Sequence, residues 1–155
     1  MPEDTRPKAV VFDIDGTLSD YRHRAHHITP PKRDWPGFFA EMEDDGLIEE
    51  CFQMVLEAQK AGYKVIILTG RPDTYLQKTL RWLEKHAVLH DAVFLRPADD
   101  WRPGAILKAE IYEKHIAPFY NVIKAVDDNP KIIAMWQALG IPTVFIGSDE
   151  NPETY

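Results

Sequence analysis

The chain has 155 residues, enough to bury one proper core, and an ordinary globular composition of 45% hydrophobic and 28% charged residues. Its formal net charge of -7 argues against a protein that coats nucleic acid with a broad basic surface, while leaving room for a local cluster that grips a phosphate or a nucleic-acid end. The single cysteine, Cys51, excludes an internal disulfide and gives no sign of an oxidising compartment.

The opening MPEDTRPK lacks the basic-then-apolar pattern of a signal peptide, and no apolar run reaches membrane length, so a soluble cytoplasmic protein is expected. KAVVFD (8–13) then reads as a buried strand ending in Asp13 and Asp15 of DIDGT. Residues 19–45 break the pattern. Arg22, His23, Arg24, His26, His27, Lys32 and Arg33 crowd into a proline-containing loop, followed by a short helix around 37–42. A helix is expected over 47–61, with Cys51 as a buried structural thiol on its apolar face and Gly62 as its stop. Strand YKVIILT (63–69) runs into TGRP, and a helix over 74–86 places Tyr75, Leu76, Leu80 and Leu83 on one face. Strand DAVFL, a helix over 106–116, strand VIKAVD running into DDNP, a helix over 131–139 and strand PTVFIG follow. The tail SDENPETY is polar and carries no functional signal.

Strands alternating with helices predict an α/β fold, a Rossmann-like open parallel sheet of about five strands with helices on both faces. A single domain over 1–155 is expected, and the intervals between motifs leave no room for a large cap domain. In such sheets ligands bind beyond the carboxyl ends of the strands, where DIDGT, TGRP and DDNP all fall.

In an extended segment residues two apart point the same way, so Asp13 and Asp15 approach one small volume, although DG is also an ordinary turn signal. Gly16 and Thr17 add a backbone able to come close to an anion and a hydroxyl. Asp127 and Asp128 bring two more carboxylates to another strand end. Such a cluster does not stay ionised without a cation, and oxygen-only donors suit Mg²⁺. Thr69 supplies a hydroxyl and Lys108 a fixed positive charge. A metal, a lysine and a hydroxyl converging on carboxylates stabilise a transferring phosphoryl group, one carboxylate attacking phosphorus while its neighbour exchanges protons.

In order and placement, DIDGT, LTG, Lys108 and the Asp127–Asp128 pair resemble the four motifs of the haloacid dehalogenase superfamily of phosphotransferases. The resemblance implies that Asp13 is the nucleophile, forming an aspartyl-phosphate, and that Asp15 protonates the leaving oxygen and then activates water. It implies that Asp13, the backbone carbonyl of Asp15 and Asp127 hold Mg²⁺, with Asp128 in support, and that Thr69 and Lys108 grip the phosphoryl oxygens. The stretch ILKAEIYEKHIAPFYNVIKAVDDNPKIIAMWQALGI (106–141) is similar to the phosphatase half of bacteriophage-type polynucleotide kinase–phosphatase, which removes 3′-phosphates from nucleic-acid ends. That likeness assigns Arg24 and Arg71 to the substrate, alongside Gly16, Thr17 and Gly70. A family aspartate falls on Gly104, with Asp99 and Asp100 as nearby replacements. No GxxxxGK[ST] phosphate loop is present, so any 5′-kinase activity would belong to another polypeptide.

Two rivals stay open. One is a phosphatase of free nucleotides or other small phosphorylated metabolites, its site closed by homo-oligomerisation or by the 22–33 loop. The other is a non-catalytic phosphate-binding module, whose signature would be loss of Asp13, Asp15 or Lys108. Tyr21, Trp35 and Trp101 are candidates for stacking on a base, whereas Tyr112 reads as core. His23, His26 and His27 read as solvent-facing or phosphate-contacting, not as a metal site.

Overall fold

The computed structural model describes residues 4–147, so the polar tail lies outside the described residues. β1 (Lys8–Phe12) is buried at every position after Lys8. β2 (Ser19–Asp20) and β3 (Gly46–Leu47) form a small antiparallel pair. Between them lie α1 (Trp35–Ala40) and tight helical turns over Arg22–His27 and Met42–Asp44. The alternation then resumes with α2 (Glu49–Lys60), β4 (Lys64–Pro72), α3 (Leu76–Lys85), β5 (Ala92–Arg96), α4 (Gly104–Ile111), β6 (Asn121–Asp127), α5 (Pro130–Ala138) and β7 (Thr143–Phe145).

Five of these strands form one parallel sheet in the order β5-β4-β1-β6-β7. The chain moves outward from β1 through β4 and β5, then crosses to β6 on the other side of β1. The strand order therefore reverses at β1, and this is where an open α/β sheet forms a crevice beyond its carboxyl ends. The alternation of side chains along β1 feeds two cores. Val10 and Phe12 join Cys51, Val55, Trp82 and Leu83 of α2 and α3, while Ala9 and Val11 join Leu107, Ile111, Ile132 and Trp136 of α4 and α5. Helices thus cover both faces, as the unbroken apolar runs require. No helix among the described residues is long and apolar enough to cross a membrane.

Segment 19–45, a charged proline-containing loop in the sequence, folds onto a core of its own. Tyr21, Ile28, Phe38, Phe39 and Met42 make a third small core, with Trp35 and Tyr75 packed against it. α1 starts earlier than expected because the Asp34 carboxylate accepts from Gly37 N at 3.0 Å and Pro36 sits in the first turn. α3 is also rotated from its expected face, burying Thr79, Trp82 and Leu83. Trp82 turns inward because its Nε1–H donates to the Asp45 carbonyl at 2.9 Å. α4 starts at Gly104 and widens into a π-type turn over Tyr112–Ile116, so the single helix expected over 106–116 is two elements.

Trp136, on the buried face of α5 and 1% exposed, should be costly to truncate. Trp136→Ala is expected to destabilise the fold by ~3–5 kcal/mol in urea denaturation. Phe119→Ala, at a 63% exposed position, should stay within ~0.5 kcal/mol of the parent.

Candidate active site

The register of the sheet brings the charged residues together. Phe12 pairs with Ile67 of β4 and with Val126 of β6, so the residues that follow these strands emerge side by side. Asp13 is fixed there by its N–H, which donates to Val126 O at 3.1 Å. Asp127 ends β6 and Asp128 follows it. Asn129 caps α5 through Oδ1, which accepts from Lys131 N at 2.9 Å, and Pro130 opens the helix.

Lys108, on α4, reaches the centre of this group and is 3% exposed. Its Nζ donates to Asp13 Oδ1 at 3.0 Å and to Asp127 Oδ2 at 2.9 Å. Asp127 Oδ1 accepts from Asn129 N at 3.0 Å. The Thr17 hydroxyl lies 3.2 Å from Asp13 Oδ2 and 3.4 Å from Asp128 Oδ1. Oxygens of Asp13, Asp127 and Asp128 all lie within 4.8 Å of one another, a group able to hold a metal ion. Burial, followed by the charge of Asp127, pushes Asp13 up to about 6. Burial and the charges of Asp13 and Asp127 push Asp128 up to about 10. Burial alone would lower Lys108, but Asp127 and Asp13 outweigh it and hold the ammonium above its usual range. Three buried carboxylates around one ammonium leave two negative charges unmatched, and this oxygen-only donor set fits a hard divalent cation.

Gly16 makes the crowding possible. Its φ is +83°, and a Cβ there would stand 2.0 Å from Asp128 Oδ2 and 2.9 Å from Tyr21 Cε1. Behind it, Asp15 faces a second set of charges. Arg71 donates to it from Nε at 3.1 Å and from Nη2 at 2.9 Å, and Arg24 Nη2 forms a further short bond. Arg24 and Arg71, expected at the substrate from a charged loop and a strand end, are both fully buried. Both also lie beside the buried carboxylate of Asp45, Arg24 through two bonds and Arg71 at 3.7 Å.

Thr69 is buried at the same end of β4, where its Oγ1 accepts from Arg71 N at 3.2 Å. The Gly70 carbonyl accepts from Arg96 Nε at 2.9 Å. Asp100 gives its carboxylate to Arg102, and Asp99 is exposed; neither is among the hydrogen-bond partners of Lys108. Of the aromatics, Tyr21 is buried against Phe38, Trp35 packs on Phe38 and Phe39, and Tyr112 packs edge-on to Trp136 as core. Trp101 is exposed and lies over Arg96. His26 is exposed, and His23 turns to Asp45. Cys51 is buried, and burial pushes its thiol up.

Two buried charged residues went unnoticed in the sequence, Asp45 and Arg96. Arg96 had a usable signal, a cation closing the apolar strand AVFL. Asp45 had none, being one acid among several in EMEDD.

A doubly covered parallel sheet whose four motifs meet at its reversal point is the arrangement of a haloacid dehalogenase-type phosphatase. The family profile of the polynucleotide kinase PNKP phosphatase domain matches residues 7–150, and the chain belongs to that family. It is 32% identical over 143 residues to a protein of Autographa californica nuclear polyhedrosis virus described as a bifunctional polynucleotide kinase/RNA ligase, covering 92% of this chain and 20% of that one. A solved structure of the Pnkp1/Rnl/Hen1 RNA repair complex contains a chain 29% identical, with a TM-score of 0.81 over 97% of this chain and 46% of that chain. The class C acid phosphatase of Bacillus anthracis, solved with tungstate bound, shares the fold at 13% identity and a TM-score of 0.70, over 96% of this chain and 69% of its own. The chain therefore spans about a fifth of the viral relative and just under half of the RNA-repair chain.

Gly16→Ala should displace Asp128 and the turn carrying Asp15, lowering kcat/KM by about 10²-fold, the usual scale for an ångström-sized misplacement. Binding of Mg²⁺ to metal-free protein should release about one proton per ion at pH 7, because Asp128 must give up its proton to become a ligand or support one. Calorimetry in buffers of different ionisation enthalpy measures this directly.

Proposed function

We propose that this chain is a Mg²⁺-dependent phosphomonoesterase that removes 3′-phosphates from nucleic-acid ends through an aspartyl-phosphate intermediate. The observation behind the chemistry is the bridge from Lys108 to Asp13 and Asp127, which orients one carboxylate as a nucleophile beside a group able to hold a cation. The substrate class rests on the family and on relatives that carry kinase, ligase or RNA-repair functions.

Asp13, the Asp15 carbonyl, Asp127 and Asp128 would hold the ion. When bound, it offsets the converging negative charge of carboxylates and phosphoryl oxygens. Asp13 Oδ2 attacks phosphorus while Lys108 holds Oδ1. The bond from phosphorus to the leaving 3′ oxygen breaks, and the Asp15 carboxyl gives that oxygen its proton. Asp15 then takes a proton from water as the water oxygen attacks phosphorus, freeing Asp13 and inorganic phosphate. Thr17, Thr69 and the Gly16 and Gly70 backbone surround the phosphoryl group. Arg24 and Arg71 act on the substrate side through Asp15, whose carboxylate both contact. Kinase activity, where it accompanies this one, resides in another segment or chain.

A panel of 3′-phosphorylated DNA and RNA oligonucleotides, mononucleotides and sugar phosphates tests the substrate class. Oligonucleotides are expected to give the highest kcat/KM, and a higher value for mononucleotides would reject the nucleic-acid reading. Asp13→Asn should abolish phosphate release with the fold intact, and retained turnover would reject the covalent mechanism.

A further inference from the structure

Residues 97–103 join the end of β5 to the start of α4, so this loop stands between two parts of the candidate site. On one side Arg96 pairs in register with Pro72, directly after Thr69, Gly70 and Arg71. On the other, Lys108 lies one turn into α4. Arg96 fixes the shape of the loop and is 1% exposed. Its Nε donates to the Gly70 carbonyl at 2.9 Å, and its Nη1 donates to the carbonyls of Asp100 at 2.9 Å and Arg102 at 2.6 Å. The same guanidinium lies 5.8 Å from the ring centroid of Trp101. Trp101 is still 56% exposed, so Arg96 backs one side of the indole and the rest meets solvent. Trp82 and Trp136, by contrast, fill the core. An indole left half in water adds little to the fold, yet this one is held beside the strand end that carries Thr69 and Gly70.

We propose that Trp101 is a stacking platform for the base of the terminal nucleotide whose 3′-phosphate sits at Asp13. The inference rests on the nucleic-acid reading given above and supplies the contact for the base. The charges of the loop favour a base over a backbone phosphate. Its one surface cation, Arg102, is already held by Asp100 and Glu110, and Asp99 is exposed. A phosphate finds little attraction there, whereas stacking on an indole needs no charge. Arg96 also steadies the ring from behind, so little side-chain freedom is lost when a base lies against it. Every base has a π face, so the platform serves ends of any sequence.

The test compares two substrates that differ only in the terminal base. One is a 3′-phosphorylated oligonucleotide, and the other is the same strand ending in a 3′-phosphorylated abasic site. For the unaltered protein, loss of the base should lower kcat/KM by ~10-fold, the scale of one lost stack. Trp101→Ala should lose the same ~10-fold on the intact end and less than about twofold on the abasic one. Trp101→Phe keeps a flat ring and should retain most of the activity on the intact end. Arg96 keeps its carbonyl acceptors in both variants, so Tm should stay close to that of the parent. Equal kcat/KM on the two ends for the unaltered protein would overturn the inference. So would equal losses on both ends for Trp101→Ala, which would reduce the indole to a support for the loop. Release of phosphate from mononucleotides but from neither strand would reject the nucleic-acid reading itself, and the platform would fall with it.

Discussion

Lys108 is a single buried ammonium in contact with two carboxylates and close to a third, and the surrounding structure is organised by that imbalance. Carboxylates taken out of water cost several kcal/mol each unless matched, and one lysine cannot match three. Burial and the mutual repulsion of these carboxylates push Asp13 and Asp128 upward. The same excess makes the site selective for what it accepts. A hard divalent ion bound there would offset it and make room for the further negative charge of a phosphoryl group.

Beside this charge-deficient trio stands the neutral set of Asp15, Asp45, Arg24 and Arg71. The two sets stand side by side, the first with an excess of negative charge and the second paired within itself. The 19–45 segment makes sense in this light. Its aromatic core has no catalytic atom, but it encloses Arg24, whose guanidinium lies 4.2 Å from the Phe38 ring centroid. An arginine clamped by two carboxylates, a carbonyl and a ring has little freedom to wander. The segment works as a mount for a buried cation.

The sheet and the trio were open to sequence reasoning because both depend on local patterns. Unbroken apolar runs such as VVF and VIIL must be covered on both faces, and polar residues at their ends must meet beyond the sheet. Asp13 and Asp127 followed from that, and Lys108 from its place near the start of the next helix. Arg24 and Asp45 did not, because their burial depends on packing between Tyr21, Phe38 and Phe39 that no short-range pattern encodes. The same holds for α3, where a hydrogen bond to Asp45 turned Trp82 inward and displaced the face that apolar periodicity favoured. In RHRAHH the charge density still meets solvent at Arg22, His23 and His26, and pairing across the fold buries Arg24 alone.

The covalent role of Asp13 is tested most directly by Asp15→Asn with p-nitrophenyl phosphate. That leaving group needs no acid, whereas hydrolysis of the phosphorylated enzyme needs the base. The proposed chemistry predicts a burst of about one nitrophenolate per enzyme followed by a stall, with the retained phosphoryl group mapped by mass spectrometry to Asp13. Absence of a burst, or a phosphoryl group found on any other residue, would contradict it.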